Sequence, residues 1–519
     1  MKRQKLVQII KDNIKEIFLA LVSGILLFLA FPDQNFYLLE WIAFIPLFFA
    51  VRGAGYKKTY YLALLTGTVF VCFGYTWIPF LFQKFVGIPA PLNYFCLFLY
   101  GFYNAQLFGL IFVLFKFFKR KTKIPQIIIF PFVLVTVWSF FPNLFYFTMS
   151  NGASKFLLAL QATEYTGTYG LDFIIALFNV TVYEVLKRDF TKNKIAIIAL
   201  SSIIITIWFS YGYYSLEKWD NEIASWEKKK IGIIQPNRAS SFTQLLLEKG
   251  ETIARPFEID HYNKLSKSNP AFIVWPEGQY RGYLNYQEVH DSYNSFVKDK
   301  KIPLIFHDLP TIAQDGRTVY RNSTILIGKS GKLKSIYHKR KLVPFGEYMP
   351  VLNWFYGLSM KLGFPSVTAG EKNRVFKING MKVQPLICYE IQFSRFVGHA
   401  VGDTKGKIVV VQSNDGWYGK GSQPEQHSAS NPLRAVENRV PVIHVINNGK
   451  SSVVMPNGRI IYQSKRWERV SDIVEVPYNI DRGGSFFSKN PELFISIIRI
   501  LTIIVGLMLL YRIKFKKAV

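Results

Sequence analysis

Cysteine is scarce in this chain of 519 residues: there are three, and two of them, Cys72 and Cys96, lie inside long apolar runs out of reach of the third, Cys388. A disulfide framework is therefore excluded, and Cys388 stands as a lone thiol in a water-soluble stretch. The seven histidines have no HExxH-like spacing, which leaves no zinc signature. A glycine-rich phosphate loop and internal repeats are also missing, and no cofactor or metal is implied. Acidic residues are few, 34 against 63 lysines and arginines, for a formal net charge of +29. Such an excess raises nucleic-acid binding as a reading, but the positions of the cations argue against it.

Apolar residues make up 50% of the chain and concentrate at its two ends. About seven runs before residue 217 are long enough for the roughly 20 residues that a bilayer crossing needs, near 13–31, 36–51, 60–82, 91–115, 124–145, 169–186 and 195–215. One more covers 493–513; it carries Arg499, as the short second run carries too few residues, and a buried core helix is the other reading for these two. Lys2, Arg3 and Lys5 precede the first run, but no small-residue cleavage site follows, so it reads as a retained anchor. Basic clusters recur at every second connection: the N-terminus, Arg52 with Lys57 and Lys58, Lys116 to Lys123, Lys187 to Lys194, and Arg512 to Lys517. Short cytoplasmic loops accumulate such residues. About eight spans with both termini in the cytoplasm satisfy the alternation, and the intervening region then lies outside. The expected organisation is a membrane domain at 1–216, an extracytoplasmic catalytic domain at 217–490, and a membrane helix with a basic tail at 491–519.

The soluble region alternates β and α. Short β-branched runs, KIGIIQP, AFIVWPE, IPLIFHD, STILIG, VQPLICYE, IVVVQSND and VPVIHVIN, end in polar or turn residues. Reactive side chains in α/β folds gather at the carboxyl ends of strands. Glu277, Cys388 and Asp415 occupy such positions, and Lys339 lies in YHKRKLVPFGEYMP. Together a carboxylate, an ammonium and a thiol suit acyl transfer. The thiol attacks as thiolate and needs a base, which Glu277 supplies; Lys339 and the backbone N–H of Tyr389 hold the oxyanion; a covalent thioester results.

The order Glu, Lys, Cys in the contexts WPE, YxKxxLVPFGE and CYE resembles the nitrilase superfamily. The LVPFGE extension and the flanking spans resemble one branch of it, the bacterial apolipoprotein N-acyltransferases. LAFPDQNFYLLEWIAFIPLFFA, NDGWYG, PEQH, RAVENR and NNGKS extend the likeness along nearly the whole chain. The resemblance implies an αββα sandwich inserted in a helical transmembrane bundle, with Glu277 as general base, Lys339 as oxyanion stabiliser and Cys388 as nucleophile. It implies supporting roles for Glu347, Tyr389 and Glu390, and loop-ordering roles for Asp415 and His427. The implied reaction takes an acyl chain from a phospholipid and passes it to the α-amino group of a diacylglyceryl-cysteine at a lipoprotein N-terminus. Both substrates are embedded in the bacterial inner membrane, and the chain is read as a monomer.

The segment 350–366 is rich in aromatic and apolar residues, Trp354, Phe355, Tyr356, Leu358 and Met360 among them, and reads as a lipid-contacting lid; a packed helix of the sandwich is the other reading. Three features depart from the family pattern. Gly278, Gln279 and Tyr280 follow WPE; the loop after QPN lacks a tryptophan and offers Phe242; and Lys450 stands where an apolar residue is common. Two other functions stay open from sequence: a membrane-anchored amidase or nitrilase-type hydrolase, in which water resolves the thioester, and an inert lipid-binding sensor.

Overall fold

A computed structural model describes residues 13–238, 257–278, 282–314, 317–348 and 367–516. Two compact units emerge: one holds the described residues up to Phe82, Ile88–Ser215 and those from Glu492 onward; the other holds Gln83–Gly87 and Leu216–Pro491.

The first unit is helical. Leu92–Lys121, Thr168–Leu186, Lys192–Ala224 and Leu493–Ile513 are each long and apolar enough to cross a membrane. Tyr56–Gly74 and Ile78–Lys84 add a fifth crossing if the pair, bent by 59°, counts as one span. Ile14–Leu29 and Gln126–Phe140 are shorter, at 16 and 15 residues. The run at 36–51, expected as a span, instead breaks into a 3-10 turn at Tyr37–Trp41 and a short helix at Ile45–Ala50. The cause is local: Pro46 starts the second piece, and the side chain of Asn179 serves the backbone between the two pieces. Its Oδ1 accepts from the Phe44 N–H at 2.9 Å, and its Nδ2 donates to the Glu40 carbonyl at 3.0 Å. Irregular backbone inside an apolar bundle survives only when its polar groups are met in this way. Arg499 is met too: Nε donates to the Ser139 hydroxyl and Nη2 to the Ser139 carbonyl, both at 2.8 Å, with the guanidinium over the Phe140 ring.

The second unit is a four-layer αββα sandwich. One six-stranded sheet contains β1 (Glu227–Gln235), β2 (Phe272–Val274), β3 (Leu304–Asp308), β6 (Ser323–Ile327), β7 (Leu333–His338) and β14 (Val470–Tyr478), in the order β14-β1-β2-β3-β6-β7. The other contains β8 (Phe376–Ile378), β9 (Met381–Ile387), β10 (Ile408–Ser413), β11 (Val442–Ile446), β12 (Ser452–Val454) and β13 (Ile460–Gln463), in the order β13-β12-β11-β10-β9-β8. A separate hairpin pairs β4 (Thr311–Gln314) with β5 (Arg317–Tyr320). Alternation along the strands builds two kinds of core. Ile231, Ile233, Phe272 and Val274 on one sheet meet Val383, Val410, Ile443 and Val445 on the other. The opposite faces pack under helices: Ile273, Leu304 and Ile325 against Tyr262 and Tyr293, and Val409, Val411 and Val442 against Val397 and Ala435. All seven strand runs read from sequence are strands.

Ile443 lies fully buried between the sheets, while Ile460 on β13 is 46% exposed. Ile443→Ala is expected to destabilise this unit by about 2–5 kcal/mol, and Ile460→Ala by roughly 0.5 kcal/mol or less; thermal unfolding of the purified protein checks the contrast.

Candidate active site

Parallel strands bring the expected residues to one edge of the sandwich. β1, β2 and β3 run parallel, and two antiparallel steps through β6 return β7 to the same direction. Glu277 therefore follows the end of β2, and Lys339 follows the end of β7 immediately, at the same edge. On the second sheet β9, β10 and β11 are parallel; Cys388 follows β9 and Asp415 follows β10. Gln412 ties the sheets together behind this edge, donating to the Trp275 carbonyl at 2.5 Å and accepting from the Thr324 hydroxyl at 2.7 Å.

All three groups are buried. Lys339 is 1% exposed, Cys388 5% and Glu277 8%. Lys339 Nζ lies 2.9 Å from Glu347 Oε1 and 3.5 Å from Glu277 Oε1. Burial by itself would strip the ammonium of its proton, but the carboxylates of Glu347 and Glu277 outweigh it and raise its pKa. Burial likewise pushes Glu277 up, and Lys339 together with hydrogen bonds from Asn322 and the Cys388 thiol more than reverses it, leaving Glu277 below its ordinary value. The Cys388 thiol is driven well above its ordinary value by burial first and then by the Glu277 charge. At rest the site thus holds a carboxylate, an ammonium and a protonated thiol that donates to the carboxylate.

Cys388 has φ +49° and opens a 3-10 turn, Cys388–Gln392. A left-handed conformation costs a non-glycine residue about 1–2 kcal/mol, and strain of this kind persists where surrounding contacts impose it. Glu390 imposes one side: its buried carboxylate accepts from the Ile387 N–H at 2.8 Å, the Arg340 N–H at 2.6 Å and the Tyr337 hydroxyl at 2.9 Å. One side chain so binds the Cys388 turn to the backbone just past Lys339. Tyr389 packs its ring edge-on against Phe393. Glu347 grips its own loop through the Val343 N–H at 2.7 Å.

His427 holds the other side. One ring nitrogen faces Asp415 Oδ1 at 2.9 Å and the other faces the Cys388 carbonyl at 3.1 Å. Both partners are acceptors, so both nitrogens carry protons. Burial opposes that charge, and Asp415 outweighs burial, so the pKa of His427 is raised. The neighbouring His444, with Ser413 and Asn431 on its two nitrogens, stays neutral; burial and the His427 charge drive it well down. Gly449 makes room for this pair, because a Cβ there would stand 2.5 Å from Asp415 Oδ2.

Two polar residues that strand-end reasoning missed complete the cluster. Asn322 Nδ2 donates to Glu277 Oε1 at 3.1 Å and to Glu347 Oε1 at 2.7 Å. His307 orients it: Nδ1 accepts from the Gly278 N–H at 3.0 Å, so Nε2 carries the proton and donates to Asn322 Oδ1 at 2.6 Å. His307 ends near the close of β3 and was findable by the rule that marked Glu277. Asn322 precedes an antiparallel strand, whose amino end reaches the same edge, so a signal based on carboxyl ends does not mark it.

Of the segments that depart from the family pattern, Gly278, Arg238 and Lys450 lie among the described residues. Gly278 has φ +79°, a conformation open to glycine. Lys450 pairs with Glu425 at 2.7 Å, and Arg466 approaches the same carboxylate at 3.4 Å. Arg238, in the loop after QPN, forms a two-pronged pair with Glu258, both contacts 2.9 Å, and its carbonyl accepts from Asn447 and Asn448. Phe242, Gln279, Tyr280 and the aromatic segment with Trp354, Phe355, Tyr356, Leu358 and Met360 lie outside the described residues.

The family model for Carbon-nitrogen hydrolase matches residues 230–478, and that for the Apolipoprotein N-acyltransferase N-terminal domain matches residues 23–181. The chain belongs to the apolipoprotein N-acyltransferase family. Its relatives include the apolipoprotein N-acyltransferase of Geobacter metallireducens, 25% identical over 92% of each chain, and that of Chlorobaculum tepidum, 25% identical over 92% of this chain and 93% of that one. The Rickettsia typhi enzyme is 30% identical over 59% of this chain and 60% of its own length. Among solved structures an amidase from Nesterenkonia sp. aligns at 18% identity, covering 48% of this chain and 90% of that chain, with a TM-score of 0.36.

Asn322→Ala removes a donor shared by two carboxylates, each such bond worth about 1.5–3 kcal/mol. The acylation rate of Cys388 is expected to fall roughly ten- to a hundredfold, with its acid limb moved to higher pH because Glu277 loses a group that holds it down; a pH–rate profile of acyl-enzyme formation reads both. His427, raised above its unfolded value near 6.5, contributes stability that is complete below that value and lost as pH rises through the folded one. His427→Gln is expected to flatten this alkaline decline in the melting temperature.

Proposed function

We propose that this protein N-acylates lipoproteins at a bacterial membrane, with Glu277, Lys339 and Cys388 as its catalytic residues. The observation that carries the reading is the buried carboxylate–ammonium–thiol cluster, occurring in a chain of this family. Glu277, already ionised, takes the thiol proton as sulfur attacks an ester carbonyl of a phospholipid. Lys339 and the Tyr389 N–H stabilise the oxyanion. Collapse breaks the C–O bond, Glu277 returns the proton to the departing glycerol oxygen, and a lysophospholipid leaves. In the second half the neutral α-amine of a diacylglyceryl-cysteine attacks the thioester, Glu277 accepts an amine proton, the C–S bond breaks, and the proton returns to sulfur. An amide and the free thiol result.

Glu347 and Glu390 act through other groups: the first holds Lys339 charged, and the second keeps the nucleophile's turn against the lysine loop. The topology we infer has about eight crossings, both termini in the cytoplasm, and residues 217–490 on the outer face between membrane segments 1–216 and 491–519. The alternating basic loops support it; among the described residues, four helices, or five with the bent pair, are themselves long and apolar enough to cross. We read the working unit as a monomer.

Intact mass spectrometry after incubation with phospholipid tests the reaction, with Cys388→Ala alongside. Wild type is expected to gain one acyl mass, Cys388→Ala none, and a diacylated lipopeptide is expected to discharge the adduct onto its amine. Release of free fatty acid at one rate with and without peptide would instead make the protein a hydrolase.

A further inference from the structure

The outer face of the first sheet is covered by helices over most of its width, but its edge strand carries a different surface. Lys334, Ile336 and His338 alternate along β7 and so share one face. Ile336 pairs in register with Ile325, which belongs to the helix-covered core, so this is the outer face. Here a cleft of about 810 Å³ is bounded by β7, by Ile312 on the β4–β5 hairpin and by the chain at 371–374. Ile312 and Ile336 supply an apolar floor, Leu333 lines the cleft where β7 begins, and Arg321, Lys334, Lys372 and Arg374 supply a cationic rim with one acid, Glu371, among them. Among the described residues no carboxylate lies within ion-pairing distance of Lys334, Lys372 or Arg374. Their charge is felt inside the cleft: burial first, then Arg321 and Arg374, depress the pKa of His338.

We infer that this cleft binds the phosphate of a glycerophospholipid headgroup, with the glycerol and the start of the acyl chains over the isoleucine floor. Arginine forks and lysine ammonium groups suit phosphate oxygens, and 810 Å³ falls in the range of small-molecule sites while far exceeding one phosphate. The floor favours an amphiphile over a bare anion. The cleft also adjoins the catalytic scaffold: in the segment leading to its rim, the Val367 N–H donates to the Glu347 carbonyl at 2.9 Å and the Gly370 N–H to the Lys339 carbonyl at 2.7 Å. A headgroup held here sits against the backbone that carries both residues. The inference rests on the phospholipid-dependent reading above and adds a place where the lipid is gripped by its charge.

Full-length protein carrying Cys388→Ala, in neutral detergent, takes no acyl group and so isolates binding from chemistry. Native mass spectrometry during titration with phosphatidylglycerol reads the affinity. Lys334→Glu with Arg374→Glu is expected to weaken binding about tenfold, and the Ala pair about threefold. Lys267→Glu with Lys298→Glu, an equal charge change on exposed positions of the same unit, is expected to stay within about twofold. Glycerol 3-phosphate is expected not to displace the lipid. Equal losses in the two charge-reversed pairs, or no loss in the first, would overturn the site; displacement by glycerol 3-phosphate would overturn the lipid as its ligand in favour of a soluble phosphate. Intact headgroup binding in a wild-type protein that never forms an acyl adduct would count against the reaction alone.

Discussion

Everything at the active edge depends on one buried cation. An ammonium withdrawn from water is tolerated only with close counter-charges and hydrogen bonds, and Lys339 has Glu347 at 2.9 Å and Glu277 at 3.5 Å. Two carboxylates this close would repel each other without it, and Asn322 divides its amide between them. The division of labour follows from distance. Glu347, also bound by the Val343 N–H, is committed to holding the lysine; Glu277, farther from it, also accepts a hydrogen bond from the Cys388 thiol. A raised thiol beside a lowered carboxylate keeps the proton on sulfur in the resting site.

The sandwich serves this cluster by fixing strand ends. Glu277, Lys339 and Cys388 come from segments far apart in sequence, and their mutual positions are set by β2 and β7 on one sheet and β9 on the other. The Gln412 side chain crosses from sheet to sheet to Trp275 and Thr324, and Glu390 crosses from the cysteine turn to the lysine loop. His427 and Asp415 form a second buried ion pair whose free donor supports the Cys388 carbonyl. Each of these bridges has a backbone group or an opposite charge as a partner, and together they hold the site's segments to one another.

In the helical unit the same rule acts on the backbone. Asn179 meets the chain where the 36–51 run breaks, and Ser139 meets Arg499. Hydropathy marks that run as a span because it counts side chains; it carries no information on which buried amide will accept an irregular backbone.

By itself the sequence determined the class of chemistry, the seven strand runs and the three residues that meet at one edge of the sandwich, because hydrophobic alternation and strand-end placement are local properties, and the motifs around WPE, HKRKLVPFGE and CYE are distinctive. It left the edge strands β7, β8, β13 and β14 unread, since edge strands mix polar and apolar residues, and with them the buried β12, whose three residues are too few to show a pattern. Tertiary structure alone decided that Asn322 spans two carboxylates, that His427 is doubly protonated, that Gly278 needs its positive φ, and that Lys450 answers Glu425. These depend on which strand ends meet across two sheets, and strand pairing is a long-range outcome that no short window of residues encodes.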